Sequence, residues 1–173
     1  MNREREIYIA GDRVSLAEYC EEQDVRDRFD CWRDPETESG YNWRVTMDFE
    51  EFKKLPVRSR FIAVIIRNAD GAALGNVFLS PEGSLPDLAI MLFEPWRGMG
   101  YGPEAFSLAL QYCFEKVDFD EIYAGCYEHN KRSWKMLQRC GFVPHPEGNV
   151  AEKHYLTGEP VTQFDFVKYR EKD

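Results

Sequence analysis

Hydrophobic and polar positions along the chain switch between strand-like and helix-like spacing, and the switches mark its elements. Leu88-Ala89-Ile90-Met91-Leu92-Phe93 is a continuous apolar run without a helical stripe, and with Asp87 it predicts a buried strand over 87–93. The glycine-rich run Arg97-Gly98-Met99-Gly100-Tyr101-Gly102 follows. From Pro103 to Val117, Phe106, Ala109, Leu110, Cys113, Phe114 and Val117 recur at spacings of three and four, the single apolar stripe of a helix laid on a core.

Upstream, Ile7 to Leu16 predicts a first strand with a Gly11-Asp12 turn, and Ala17 to Trp32 reads as a helix that the Asp34-Pro35 step ends. Glu36 to Met47 is irregular or helical. Asp48 to Leu55 predicts a second helix, capped by Asp48 with Glu51 in the capping-box position and stopped before Pro56. Phe61 to Arg67 and Leu74 to Leu79 are strands joined by the turn Asn68-Ala69-Asp70-Gly71, and a turn at Pro81, Gly83 and Pro86 leads into 87–93. These three strands form an antiparallel meander.

Downstream, Glu121 to Tyr127 alternates Ile122, Ala124 and Cys126 against Tyr123, Gly125 and Tyr127, a strand covered on both faces and expected to pair in parallel. Arg132 to Cys140 predicts a helix with Gly141 as a left-handed cap and Phe142 folding back on the core. Val150 to Leu156 and Gln163 to Tyr169 flank Thr157-Gly158-Glu159-Pro160 as a closing hairpin. With no repeat or linker, the 173 residues predict one domain over 1–173.

The glycine run has the chemistry of an anion cradle. Glycines at every second position let successive N–H groups turn inward, the following helix adds its positive end, and Pro103 suits a first helical turn. A dinucleotide fold requires GxGxxG at its first strand; here the third glycine comes one residue early and the strand lies mid-chain. A P-loop requires Gly-Lys-Ser/Thr, whereas Gly100 is followed by Tyr101 and Gly102.

Arg97, Gly100 and Gly102 satisfy the Arg/Gln-x-x-Gly-x-Gly/Ala pattern, and the chain thereby resembles the GNAT superfamily of acyl-CoA-dependent N-acetyltransferases. Asn130 to Phe142, with Asn130, Ser133, Gly141 and Phe142, resembles the N-x-x-S … G-F segment of the branch containing the ribosomal-protein-alanine N-acetyltransferases. The resemblance implies an α/β (α+β) GNAT fold, with a mixed central sheet of about six to seven strands, an antiparallel N-terminal meander and helices on both faces. It implies acetyl-CoA as cosubstrate and transfer of acetyl to a primary amine, a protein N-terminus or a small amine, by direct attack in a ternary complex. A homodimer is common in such a family. The alternative is a non-catalytic acyl-CoA-binding module of the same fold.

Residue by residue, the resemblance implies that backbone groups of Met91, Leu92 and Phe93 hold the pantetheine arm where the strand splays from its neighbour. Pro95 suits that interruption or an ordinary strand end. Arg97, Gly98, Met99, Gly100, Tyr101 and Gly102 would hold the pyrophosphate. Asn130 would contact the pantetheine or cap its own helix, and Ser133 would serve the departing thiol. Many family members use a tyrosine four residues before the Gly-Phe pair, and that position here is Leu137. Asp87 is the candidate base through water, with a turn aspartate after Pro86 as the plain alternative, and Glu94 is a poorer choice. Trp32, Tyr41 and Trp43 are candidates for one wall of the acceptor pocket, or for core packing.

Composition narrows the partners. A net charge of −9 without an evident basic patch argues against nucleic-acid binding; it reads first as a solubilising surface, and secondarily as one that would favour encounter with a cationic amine. No run approaches the ~18 apolar residues of a membrane span. The charged opening Met1 to Glu6 leads into no signal-type apolar segment, so a cytoplasmic location is expected. The five cysteines form no C-x-x-C pair and His129, His145 and His154 do not cluster, so no metal is expected. Cys113 and Cys126 read as buried inert thiols, as does Cys140 in the absence of an electropositive pocket.

Overall fold

Alternating apolar residues on five strands build the first of two sheets. In the computed structural model, which describes residues 5–171, β1 (Ile7–Ala10), β2 (Val14–Glu18), β3 (Ser59–Arg67), β4 (Ala73–Pro81) and β5 (Leu88–Leu92) pair antiparallel in chain order. Met1 to Glu4 of the charged opening lie outside the described residues. The run from Ile7 to Leu16 is two strands rather than one: the Gly11 N–H donates to Val14 O at 2.9 Å, folding a hairpin that sets Ile9 opposite Leu16.

The helix expected from Ala17 begins only at Glu21, because Ala17 and Glu18 are held in the ladder opposite Val64 and Ala63. This helix, α1 (Glu21–Trp32), opens on Glu21, Glu22 and Asp24, whose charge suits a helix N-terminus. Asp34 then caps α2 (Pro35–Tyr41) by accepting the Thr37 N–H at 3.0 Å, with Pro35 in the first turn and Asn42 ending it in the left-handed region. Most of the helical part of 36–47 is thus α2. The capping box of Asp48 and Glu51 starts α3 (Phe49–Phe52).

Val77 and Leu79 on β4 and Leu88 on β5 point into the main core, while Phe78 between them meets Trp32 and Tyr41 on the opposite face. The main core is closed by α4 (Tyr101–Tyr112), whose last turn widens into a π-helical turn over Cys113–Val117. The apolar stripe anticipated from Pro103 to Val117 is therefore real but is not carried by one regular helix.

The second sheet is centred on its longest strand. β9 (Pro160–Tyr169) pairs antiparallel with β6 (Glu121–Tyr127) on one side and with β7 (Val143–Pro144) and β8 (Val150–Lys153) on the other. Between β6 and β7 lies α5 (Lys131–Arg139), ended as expected by Gly141 at φ +79°, with the Phe142 N–H returning to Leu137 O at 3.1 Å. The architecture is the mixed α/β one expected, although the strands among the described residues number nine and fall in two sheets. No helix among the described residues is long and apolar enough to cross a membrane.

Candidate active site

The two sheets touch at one parallel bridge, Asp87 opposite Tyr123, where the Tyr123 N–H donates to Pro86 O at 2.9 Å. Beyond it β5 and β6 separate. The Phe93 N–H is spent on Leu74 O of β4, so by strand alternation the edge of β5 that faces β6 is made by Ile90 and Leu92. Their carbonyls are taken by side chains: Tyr41 Oη donates to Ile90 O at 2.7 Å and Arg97 Nε to Leu92 O at 2.9 Å. This corrects the expected trio of Met91, Leu92 and Phe93. Leu92 lies on the open edge, whereas the backbones of Met91 and Phe93 both face β4 in the closed ladder, and Met91 only lines the groove.

At the end of β5 the chain makes a short 3-10 turn through Pro95, then the glycine loop. Gly98 (φ +75°) and Gly100 (φ +80°) take the left-handed conformations that the anion-cradle reading requires, and Gly100 caps α4 with no side chain bonded to the helix N–H groups. Those N–H groups fit an anion such as the pyrophosphate of CoA. The loop is held from outside. Arg13 Nη2 donates to Met99 O at 3.1 Å and its guanidinium lies 4.5 Å from the centre of the Tyr101 ring, while Glu104 accepts the Arg13 N–H at 2.7 Å. Met99 and Tyr101 thus brace the loop and do not line the groove, whereas Gly98, Gly100 and Gly102 do. A Cβ on Gly102 would meet Leu92 Cδ1 at 3.4 Å and Met136 Sδ at 3.9 Å, ordinary contacts that leave room for a small side chain where α4 faces β5.

The groove has a volume of about 680 Å³ and runs from the loop along α2 and α5. A second cavity of about 190 Å³ lies against it, and the two share Gly40, Tyr41, Ile90, Asn130, Ser133 and Met136. The smaller one reaches Asp87, Tyr127 and Gln163 through the opening between β5 and β6. Burial, with the neighbouring Asp165 as a second cause, raises the Asp87 carboxyl to about 6, which places a titrating group beside the gap. Ser133 lines both spaces. Asn130 does so too, while its Oδ1 accepts the Ser133 N–H at 3.1 Å, so the helix-cap role holds.

Of the three aromatic candidates only Tyr41 lines the cavities. Trp32 packs edge-on against it at 4.8 Å and Trp43 edge-on against Trp32 at 5.2 Å, which makes them the backing of Tyr41. Burial raises the thiols of Cys113 to about 12 and of Cys126 to about 11, in keeping with inert core residues. Cys140 is likewise raised by burial.

The family model of the acetyltransferase (GNAT) domain matches residues 5–143. The chain belongs to the GNAT acetyltransferase family. Among solved structures, the spermidine N-acetyltransferase of Vibrio cholerae in complex with CoA and spermine superposes with a TM-score of 0.80 at 18% identity, covering 92% of this chain and 96% of that one. A GNAT-family acetyltransferase from Bacillus anthracis gives 0.76 at 15% identity, covering 93% and 97%. A Vibrio cholerae protein provisionally named a ribosomal-protein-serine acetyltransferase gives 0.68 at 17%, covering 94% and 97%. These likenesses establish the GNAT fold. No curated protein matches the chain.

Several residues that build this GNAT groove were not singled out from the sequence. Lys131, Arg132, Lys135 and Arg139 of α5 all line it, and Thr37, Ser39 and His129 close its roof, with His129 Nε2 3.2 Å from Ser39 Oγ. The cations did carry a signal: α5 holds four of them and no carboxylate in a chain of net charge −9. Leu137, at the position where many GNAT members have tyrosine, is 1% exposed within the core.

Proposed function

We propose that this protein is an acetyl-CoA-dependent N-acetyltransferase that moves an acetyl group to a primary amine by direct attack within a ternary complex. The observation that carries this reading is the gap between β5 and β6, which joins a groove headed by an anion-binding loop to a small cavity holding Asp87. A thioester reaching the gap from the groove side meets an amine arriving from the Asp87 side.

Each chemical requirement then has a group. The N–H groups of Ile90 and Leu92, on the unpaired edge of β5, would orient the arm and polarise the acyl oxygen. Asp87 would take the proton of the incoming ammonium, directly or through water, and Ser133 would hydrogen-bond the departing thiolate in place of the missing tyrosine. The acceptor side carries Asp87, with Asp165 nearby and Glu152 bonded to Tyr127 Oη at 2.7 Å, surroundings that favour a cationic amine. A protein N-terminus, as in the ribosomal-protein branch, and a small amine, as with the spermine bound to the Vibrio cholerae enzyme, both meet that description.

The deciding experiment is calorimetric titration with acetyl-CoA, using CoA, NAD and FMN as controls, followed by turnover against a panel of polyamines and N-terminal peptides. Selective binding of acetyl-CoA and CoA with acetylation of one amine class is expected. Binding without any turnover would leave the non-catalytic acyl-CoA module; no binding would overturn the reading.

A further inference from the structure

One of the α5 cations already has an anionic partner across the groove. Glu36, in the first turn of α2, sets Oε1 2.7 Å from Arg132 Nη1 and Oε2 3.5 Å from Arg97 Nη1. A single carboxylate therefore stands between a guanidinium of the glycine loop and a guanidinium of α5, and all three residues line the groove. We propose that Glu36 is a built-in competitor for the anionic end of the cosubstrate: it occupies Arg132 until a phosphate displaces it, and so sets how strongly the groove prefers phosphate-bearing thioesters. This rests on the acetyl-CoA reading above.

The two ion pairs of the α2 N-terminus differ in the way such an exchange needs. Arg97 pairs with Asp34 at 2.7 Å with side chains only 12% and 21% exposed, and it also bonds Thr37 Oγ1 and Leu92 O. That guanidinium is fixed. The Glu36–Arg132 pair is 59% and 65% exposed, and a pair so open to solvent is weak and screened by salt. A doubly charged phosphate, which accepts several bonds from a guanidinium, outcompetes one carboxylate there. Once displaced, Glu36 remains beside the bound anion and repels it, so its charge opposes binding before and after the exchange. Helix α2 does not depend on it, because Asp34 and Pro35 start the helix.

The test compares two variants that break the same pair from opposite sides, using calorimetry of the full chain with CoA and with pantetheine, which carries no phosphate. Glu36→Gln is expected to tighten CoA by about three- to tenfold at low salt, a gain that shrinks as salt rises and is absent for pantetheine. Arg132→Gln is expected to weaken CoA. A pair with only a structural role would move both variants in the same direction, and that result, or an equal gain for pantetheine, overturns the proposal. If neither the parent protein nor Glu36→Gln binds CoA, the acetyl-CoA reading falls and the competitor role falls with it.

Discussion

Tyr41 Oη donates to the carbonyl oxygen of Ile90 at 2.7 Å, tying the end of α2 to the open edge of β5. The same helix is tied to the glycine loop through Arg97 and to the turn before α5 through Ser39 and His129, so α2 spans the gap between the sheets. Burial holds the Tyr41 phenol well above its ordinary pKa, so it stays a donor across the working pH range. Tyr41→Phe keeps the packing against Trp32 and Phe78 and removes only this bond. A loss of about 1 kcal/mol is expected, read as a fall of about 2–4 °C in Tm. An unchanged Tm would mean that the bond contributes nothing to stability in solution.

Arg97→Lys should cost about 1–3 kcal/mol in denaturant unfolding, because an ammonium cannot reach Leu92 O, Thr37 Oγ1 and Asp34 together as the planar fork does. CoA affinity should fall with it. A variant of full stability that no longer binds CoA would show instead that Arg97 is a direct phosphate ligand.

Gly100→Val should raise the Kd for acetyl-CoA by about tenfold or more. The nearest neighbour of an added Cβ is the Arg13 guanidinium at 3.6 Å, an ordinary contact, so the damage comes from the φ of +80° that a β-branched residue resists and not from filled space. Calorimetry reads the loss, and a variant that binds normally would remove the loop from the site.

Asp87 links activity to pH. Its carboxyl is raised in the folded protein from 3.8 to about 6, so the folded state binds the extra proton between those values. The resulting stabilisation is complete below about pH 4 and is lost as pH rises through about 6. Asp87→Asn should therefore be more stable than the parent at pH 8, by about 3 kcal/mol at most, with the difference vanishing below pH 4. In the parent, kcat/KM should climb as pH passes about 6. If Asp87→Asn keeps that limb, the base is another group.

Ser133→Ala should lower kcat by about tenfold or more while leaving the Kd for CoA unchanged. The cap survives this change, since Asn130 bonds the backbone N–H of residue 133 and not its hydroxyl. Equal losses in kcat and binding would undo the role given to Ser133.

What could be read from the sequence was local. The strand, glycine loop and helix order, the capping box at Asp48 and the cap at Gly141 depend on neighbours within a few residues, and they stand as read. The apolar pattern of Ile7 to Leu16 runs through its turn, so a hairpin looked like one strand. The partner of Tyr41 lies 49 residues away, and nothing in the spacing of three aromatics says which one faces a cavity and which ones back it. The ligation of Leu92 O by Arg97 was hidden for a different reason: a motif position invites a ligand-binding role, while the fold uses its side chain for bracing.

The bridge between Asp87 and Tyr123 has a mechanical meaning. Inside each sheet, backbone ladders fix strand spacing rigidly; across the seam that task falls to the shared core, where Phe106, Ile122, Leu137 and Phe166 pack beneath both halves. Dispersion contacts are non-directional, so they set a distance without dictating a register. The width of the cleft is therefore a volume property of buried side chains, some of which, Phe106 and Leu137, line the smaller cavity while Ile122 and Phe166 lie behind it. One methylene added or removed at Ile122 or Phe166 tunes the aperture without touching its lining.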